Sequence, residues 1–356
     1  DGHSSGKIRI SVSFTQAFKN EARRLGFTLA GVTTPDPPPH VSVYENWLML
    51  GRHGSMDYLA DERARRCRCN PRAILPECRS ILVLGLRYPN PIIACLDEEA
   101  SPTGHIAAYA WGRDYHLVLP ERLKALSAYI EQRVGKTLPH RCYTDTGPIL
   151  ERDLAQRAGL GWIGKNTCLI NPVAGSYYLL AEILLGIDLE PDPPFTVDRC
   201  GTCTRCIEAC PTGCILPNRT LDARRCIAYL TIENKAEIPP DLRPLMGKWI
   251  FGCDVCQMVC PWNRFAGKEY DQSLAPYSGL TSPDLRADLM LTPQGFNRKF
   301  KDCPVQRARR RGYLRNVAVA LGNYANPADI PVLKKALEDG EPLVRQHADW
   351  AMKQIH

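Results

Sequence analysis

No run of apolar residues in this sequence is long enough to cross a bilayer. The best stretch, Tyr177 to Leu185, is broken by Glu182, and a spanning helix needs roughly 18–20 consecutive apolar residues. Asp1–Ser11 lacks an apolar core, so no signal peptide is expected, and the chain reads as cytoplasmic with no membrane partner. Strong net charge is lacking too: 45 basic residues against 38 acidic leave +7 over 356 residues. With 44% hydrophobic and 23% charged residues, disorder throughout is excluded. The length suits two or three domains with ample core.

Cysteine is what the sequence has in excess. Sixteen cysteines in a chain with no expected export signal point to metal or redox chemistry rather than to disulfides, because cytosolic thiols stay reduced. Nine of the sixteen fall within 195–265. The run Cys200-x2-Cys203-x2-Cys206-x3-Cys210-Pro211 is that of bacterial ferredoxins. There, three cysteines wrap one [4Fe–4S] cubane and the fourth, before proline, crosses to a second cluster. Cys253-x2-Cys256-x3-Cys260-Pro261 matches the last three cysteines of the same run, and Cys226 supplies the missing first. Two clusters follow: one on Cys200, Cys203, Cys206 and Cys260, the other on Cys210, Cys226, Cys253 and Cys256. Zinc ribbons would also use eight cysteines, but they favour separated CxxC pairs over a 2-2-3 run closed by proline. Cys214 reads as a core thiol, and the seven scattered cysteines as small buried hydrophobes.

Around this centre the chain alternates. Helices are expected over 13–25, 120–134 and 150–158, and strands over 27–32, 80–86 and 177–185, which suggests an α/β unit over roughly 1–190. The proline-rich Glu190–Pro194 marks a boundary. Beyond about 275 the pattern is helical. Leu314–Ala318 and Val344–Ala348 repeat at a spacing of 30 residues, in the manner of two partial HEAT-type units.

Three short segments carry polar chemistry. Gly159–Asn166 (GLGWIGKN) imitates a dinucleotide fingerprint and a phosphate loop. A helix rather than a strand precedes it, and Asn166 stands where a phosphate loop needs a hydroxyl, so NAD and ATP are disfavoured. A helix cap, or a backbone cradle for some other polar cofactor edge, remains. Asp145 lies in a turn before the 150–158 helix, where an acid is either a cap or a catalytic group. Gly112–His116 packs Arg113, Asp114, Tyr115 and His116 together. Asp114-x-His116 begins a cobalamin DxHxxG motif, but Leu119 replaces its glycine, which argues against cobalt ligation of that kind. Finally, residues 298–315 carry eight basic side chains against Asp302, a net +7 equal to that of the whole chain. Such a stretch attracts phosphate backbones.

Together these residues closely resemble one family, the cobalamin-dependent tRNA epoxyqueuosine reductases. The resemblance is carried by Tyr109–His116, Asp145–Pro148 with Glu151-Arg152, Ala158–Asn166, Asn171-Pro172 with Gly175-Ser176, both cysteine runs and the carboxy-terminal helices. It implies an α+β / α/β multidomain fold. A cobalamin-binding catalytic domain spans 1–190, a ferredoxin-like domain with two [4Fe–4S] clusters 195–265, and a HEAT-like tRNA-binding domain 275–356. The implied reaction is a two-electron, two-proton deoxygenation of epoxyqueuosine to queuosine at the wobble position of tRNAs with a GUN-type anticodon.

The family's general acid falls on Asp145, whose pKa a shielded pocket would raise toward neutrality. Arg113, Tyr115, His116, Arg141, Gly161, Trp162, Gly164, Lys165 and Asn166 would line the cofactor and substrate cavity. Arg298, Lys299, Lys301, Arg307, Arg309, Arg310, Arg311 and Arg315 are the candidates for gripping tRNA. A monomer fed by an external donor such as flavodoxin or ferredoxin is expected. Two alternatives are a reductive dehalogenase-like cobalamin and iron–sulfur enzyme acting on a small molecule, and a non-catalytic electron-transfer or RNA-binding module.

Overall fold

The computed structural model describes residues 12–91 and 102–355. Asp1–Ser11, over which no signal peptide is expected, lies outside the described residues, as does Cys95. Helix α1 (Val12–Arg24) buries Phe18 and Ala22. Strand β1 (Leu29–Thr33) follows, then α2 (Val41–Met49), α3 (Asp57–Ala60) and α4 (Glu62–Cys69). Strand β2 (Ser80–Arg87) is buried along its whole length, as its unbroken apolar run requires. After β3 (His105–Ile106), helix α5 (Tyr115–Val134) starts on Asp114, whose carboxylate accepts the His116 N–H, and stops at left-handed Gly135. Then come β4 (His140–Tyr143), α6 (Glu151–Arg157), β5 (Trp162–Ile163), β6 (Leu169–Ile170) and β7 (Tyr178–Leu185).

The main sheet runs β1-β2-β7-β4, and every pairing in it is antiparallel. Side chains alternate across it. Leu82, Leu84, Ala181 and Ile183 share a core with Phe18 of α1 and Leu123 of α5, while Ile81, Val83 and Leu184 pack with Leu154 and Ala155 of α6. This half is therefore α+β rather than α/β. Alternating elements report order along the chain and not strand direction, which the long connections leave free.

The cysteine-rich segment carries α7 (Arg205–Glu208), α8 (Ile227–Ile232), β8 (Trp249–Phe251) and α9 (Val255–Met258). β8 pairs in parallel with β3, which fastens this segment to the chain just before α5. The proline-rich stretch before it is pinned to the first half. Asp192 accepts from the Val32 N–H at 2.6 Å and from Lys19 Nζ at 2.5 Å.

The carboxy-terminal helices are α10 (Leu285–Leu289), α11 (Pro293–Lys299), α12 (Arg309–Tyr324), α13 (Ile330–Ala336) and α14 (Pro342–Met352). The two copies of the sequence repeat fall on α12 and α14, which pack together. α12 is buried from Gly312 to Gly322. One apolar cluster runs from Phe18 through Leu123 and Phe251 to Leu314 and Ala351, so both ends of the chain share a core. Among the described residues no helix is long and apolar enough to cross a membrane.

Candidate active site and cluster sites

Strand β4 carries the chain to Thr144, whose hydroxyl donates to Leu180 O of β7 at 2.9 Å. The chain then turns at Asp145, which takes the left-handed φ of +55 that aspartate tolerates better than most residues. The Asp145 N–H donates to Glu151 Oε1 at 2.6 Å, at the start of α6. Its carboxylate meets the start of α5: Tyr115 Oη donates to Asp145 Oδ2 at 2.8 Å, and His116 Nε2 lies 3.4 Å from the same oxygen. The other face of the imidazole is held by Asp114, Nδ1 to Oδ1 at 2.8 Å. The two segments singled out separately in the sequence thus form one Tyr–His–Asp cluster.

The electrostatics of this cluster correct the expectation for Asp145. Burial pushes its pKa up, but the hydrogen bonds and charge from His116 and Tyr115 outweigh this and hold it below the ordinary carboxylate value. Hydrogen bonding to Asp114 and then to Asp145 lifts His116 from 6.5 to about 9. At neutral pH the proton therefore rests on His116, and Asp145 is ionised. The Asp145 side chain is 55% accessible, although protein surrounds it on several sides.

A cavity of about 570 Å³ opens beside this cluster, lined by His116, Leu123, Lys124, Glu131, His140, Tyr143 and Thr144. Tyr88, Tyr109, Tyr115 and Phe251 pack as a largely buried aromatic cluster, with centroids 6.1–6.4 Å apart, that supports the Tyr115 side of the site. The cavity's own apolar lining, with scattered donors and acceptors, fits one side of a large, amide-fringed macrocycle such as cobalamin. Arg141 neighbours the lining residues His140 and Cys142 on β4, and Arg113 pairs with Glu121 at 3.5 Å. Tyr58 and Arg307, from separate segments, lie within electrostatic reach of Asp145, and Glu233 lies within reach of both of them. Sequence reasoning missed Tyr58 and Glu233, because nothing local marks them.

Cys200, Cys203, Cys206 and Cys260 line one recess of about 270 Å³ with Trp262, Arg199 and Arg205. Four thiols around a recess of this size suit a cubane. Cys210 and Cys226 form the other group with Cys253 and Cys256, and both contact Cys214, whose Sγ is 3.4 Å from that of Cys210. Cys214 is buried, as a core thiol should be, yet it lies among cluster thiols. Cys168 likewise contacts Cys256. Asp254, next to Cys253, is buried and accepts from the Ala108 N–H at 2.7 Å, tying this group to the segment that leads into Tyr115 and His116.

Two expectations are corrected. The Gly159–Asn166 loop packs on the cysteine loops. The Trp162 indole donates to Cys200 Sγ at 3.4 Å, Lys165 Nζ donates to the carbonyls of Gly201 and Cys203 at 2.7 and 3.0 Å, and Asn166 donates to Cys256 O at 3.4 Å. A Cβ at Gly161 would sit 2.1 Å from Ile170 O, so its glycine serves the β5–β6 hairpin. A Cβ at Gly164 would instead meet the end of the Ile170 side chain, at 2.5 Å. Gly161, Trp162, Gly164, Lys165 and Asn166 thus belong to the cluster shell. In the basic segment, Arg315 is fully buried, donating to the carbonyls of Leu230, Asn234 and Ala236, and reaches no ligand. Lys299, Arg307 and Arg310 are engaged by Asp288, Glu233 and Asp339. Arg298, Lys301, Arg309 and Arg311 remain exposed.

Residues 199–263 match the family described as 4Fe-4S double cluster binding domain, and residues 68–146 match Epoxyqueuosine reductase QueG, DUF1730. The epoxyqueuosine reductase of Pseudomonas aeruginosa is 39% identical over 342 residues, covering 95% of this chain and 93% of that protein. That of Escherichia coli K12 is 38% identical over 340 residues, covering 95% and 89%. A crystal structure of epoxyqueuosine reductase with a tRNA-Tyr epoxyqueuosine-modified stem loop superposes with a TM-score of 0.87 at 30% identity, over 96% of this chain and 90% of that one. A Bacillus subtilis epoxyqueuosine reductase structure, with its catalytic aspartate loop swung out of the active site, gives 0.84 at 30% identity over the same shares. The chain belongs to the epoxyqueuosine reductase family, oxidoreductases that use cobalamin and two [4Fe–4S] clusters to convert epoxyqueuosine to queuosine in tRNA.

Proposed function

We propose that Asp145 delivers the proton held on His116 to the departing epoxide oxygen. The observation that carries this reading is the convergence of Tyr115, His116 and Asp145 on one carboxylate oxygen beside the large cavity. Cobalamin, when bound, supplies a strongly reducing, nucleophilic cobalt centre. The residues that would hold it are Tyr115, His116 and the cavity wall contributed by α5 and β4, including His140 beside Arg141.

The protein's own part is proton management. Removal of the epoxide oxygen as water takes two electrons and two protons, and an oxygen that leaves unprotonated leaves as an alkoxide. His116 holds a proton at neutral pH, and Asp145 Oδ2 lies between His116 Nε2 and the Tyr115 hydroxyl. Asp145, ionised at rest, takes the His116 proton at Oδ2 and passes it to the departing oxygen, and the second proton comes from solvent. Tyr115 keeps the carboxylate oriented meanwhile.

The ligand sets are Cys200, Cys203, Cys206 and Cys260 for the outer cluster, and Cys210, Cys226, Cys253 and Cys256 for the inner. The outer recess is rimmed by exposed Arg199 and Arg205 and by Phe265, 80% exposed. This rim suits an acidic flavodoxin- or ferredoxin-type donor. tRNA is gripped by exposed Arg298, Lys301, Arg309 and Arg311. Arg63 and Arg152, near Tyr143 and Glu151, extend the basic surface beside the Asp145 loop. The enzyme acts as a cytoplasmic monomer with a catalytic, a cluster and a helical tRNA-binding part.

The test is mass spectrometry of epoxyqueuosine-containing tRNA after incubation with reconstituted protein, cobalamin and a reductant. Loss of one oxygen is expected. Asp145→Ala should keep cluster and corrin absorbance yet lower turnover by about 10²- to 10⁴-fold. Full activity in that variant would remove Asp145 from the mechanism.

A further inference from the structure

Strand β7 carries an acid where its pattern calls for a hydrophobe. Leu180, Glu182 and Leu184 point to the same face of the sheet, into the core shared with Ile81, Val83 and Leu154. Glu182 is fully buried, and no N–H or hydroxyl donor reaches either carboxyl oxygen. An isolated ionised carboxylate in such a place is among the costliest arrangements in a protein. The group that faces it is another carboxyl, that of Glu151. Two carboxylates are both acceptors, so they can meet side by side only when one of them carries a proton.

The second carboxyl has a further contact. Glu151 Oε1 accepts the Asp145 N–H at 2.6 Å, at the residue whose backbone is left-handed. The other charged groups near Glu151 are Arg152, Arg68 and the Asp145 carboxylate. A chain of contacts thus runs from the centre of the sheet, through Glu182 and Glu151, to the backbone of Asp145.

We infer that Glu182 and Glu151 share one proton and act as a clamp that positions the Asp145 turn. The neutral carboxyl of Glu182 donates to the Glu151 carboxylate, which in turn holds the Asp145 amide so that Oδ2 meets Tyr115 and His116. Burial followed by the nearby Glu151 raises Glu182 well above the carboxylate range, and burial followed by the Asp145 charge raises Glu151 to about 7, in keeping with a protonated pair at neutral pH. Both glutamates are positioning residues. Their function rests on the reading of Asp145 as the acid of the reaction; their shared proton does not.

Two measurements on the reconstituted holoenzyme decide the matter. In an infrared difference spectrum at neutral pH, wild type minus Glu182→Gln should show the carbonyl stretch of a neutral carboxylic acid. In single turnover, Glu182→Leu should lower the rate about tenfold with tRNA affinity within twofold of wild type, as expected for loss of one charged hydrogen-bonding link. Glu182→Gln, whose amide donates permanently, should recover most of that loss. If Glu182→Leu does not fold, Glu151→Leu, which removes the partner of the Asp145 amide, should give the same fall. Absence of the neutral carboxyl band overturns the shared proton, and an unchanged rate in both leucine variants overturns the clamp. Inactivity of Asp145 in turnover would sink the proposed acid but leave the band in place, so the two failures are distinguishable.

Discussion

At the scale of the residue, the site turns on where one proton rests. A carboxyl in a shielded pocket is expected to hold a proton near neutral pH, and Asp145 does not, because Tyr115 and His116 stabilise its ionised form. The proton moves one group back, to His116. Turnover should therefore fall as pH rises through about 9, where His116 loses its charge. A pH–rate profile of single turnover checks this, and His116→Gln should lower the rate and abolish that limb. A limb that persists in His116→Gln would assign it to another group. The same raised pKa makes a stability statement. The interaction of His116 with Asp114 and Asp145 contributes in full below about 6.5 and is lost as pH rises through about 9.

At the scale of the element, α12 shows how a charge run divides between surface and interior. Its sequence begins Arg309-Arg310-Arg311 and includes Arg315 one turn later. Helical geometry gives these side chains different fates. Arg310 turns to Asp339, Arg315 enters the protein and satisfies three backbone carbonyls, and Arg309 and Arg311 stay exposed. Replacing Arg309 and Arg311 together with Glu should weaken tRNA binding and lower the slope of log K against log salt by roughly one to two, about 0.9 per lost phosphate contact. A dissociation constant and slope equal to wild type would exclude this face. Arg315→Met should behave differently. It strands three buried carbonyls and should destabilise the fold by about 3 kcal/mol or more, read as a lower denaturation midpoint. Any protein that remains folded should bind tRNA normally.

At the scale of the whole molecule, the two proposed cluster sites make a path with an outer and an inner end. The Cys200, Cys203, Cys206 and Cys260 recess opens beside Arg199 and Arg205. The Cys253–Cys256 loop is tied through Asp254 to the chain just ahead of Tyr115 and His116. Replacing Arg199 and Arg205 with Glu should slow reduction by an acidic flavodoxin about tenfold, with a loss of its ionic-strength dependence. Reduction by dithionite, which needs no docking, should be unchanged. Equal rates with the flavodoxin would place the donor elsewhere.

Much of this was legible without coordinates. The proposed cluster ligands follow from spacing, since three thiols two residues apart can converge on one cubane from a single loop whatever the rest of the fold does. Glu182 and Glu151 were visible too, one as the break in an apolar run and the other beside a family motif, but neither by itself says that they meet.

What the sequence alone determined is the local chemistry: cysteine spacing, the acid in its turn, the histidine loop and the excess of positive charge near the carboxy terminus. Tertiary structure decided strand direction, the use of the GLGWIGKN loop as cluster shell, the burial of Arg315 and the meeting of α5, β4 and α6 at Asp145. Local geometry sets which atoms a short segment can offer. Only packing of distant segments sets the neighbours that fix a proton's position, and those neighbours are not encoded within any one stretch of chain.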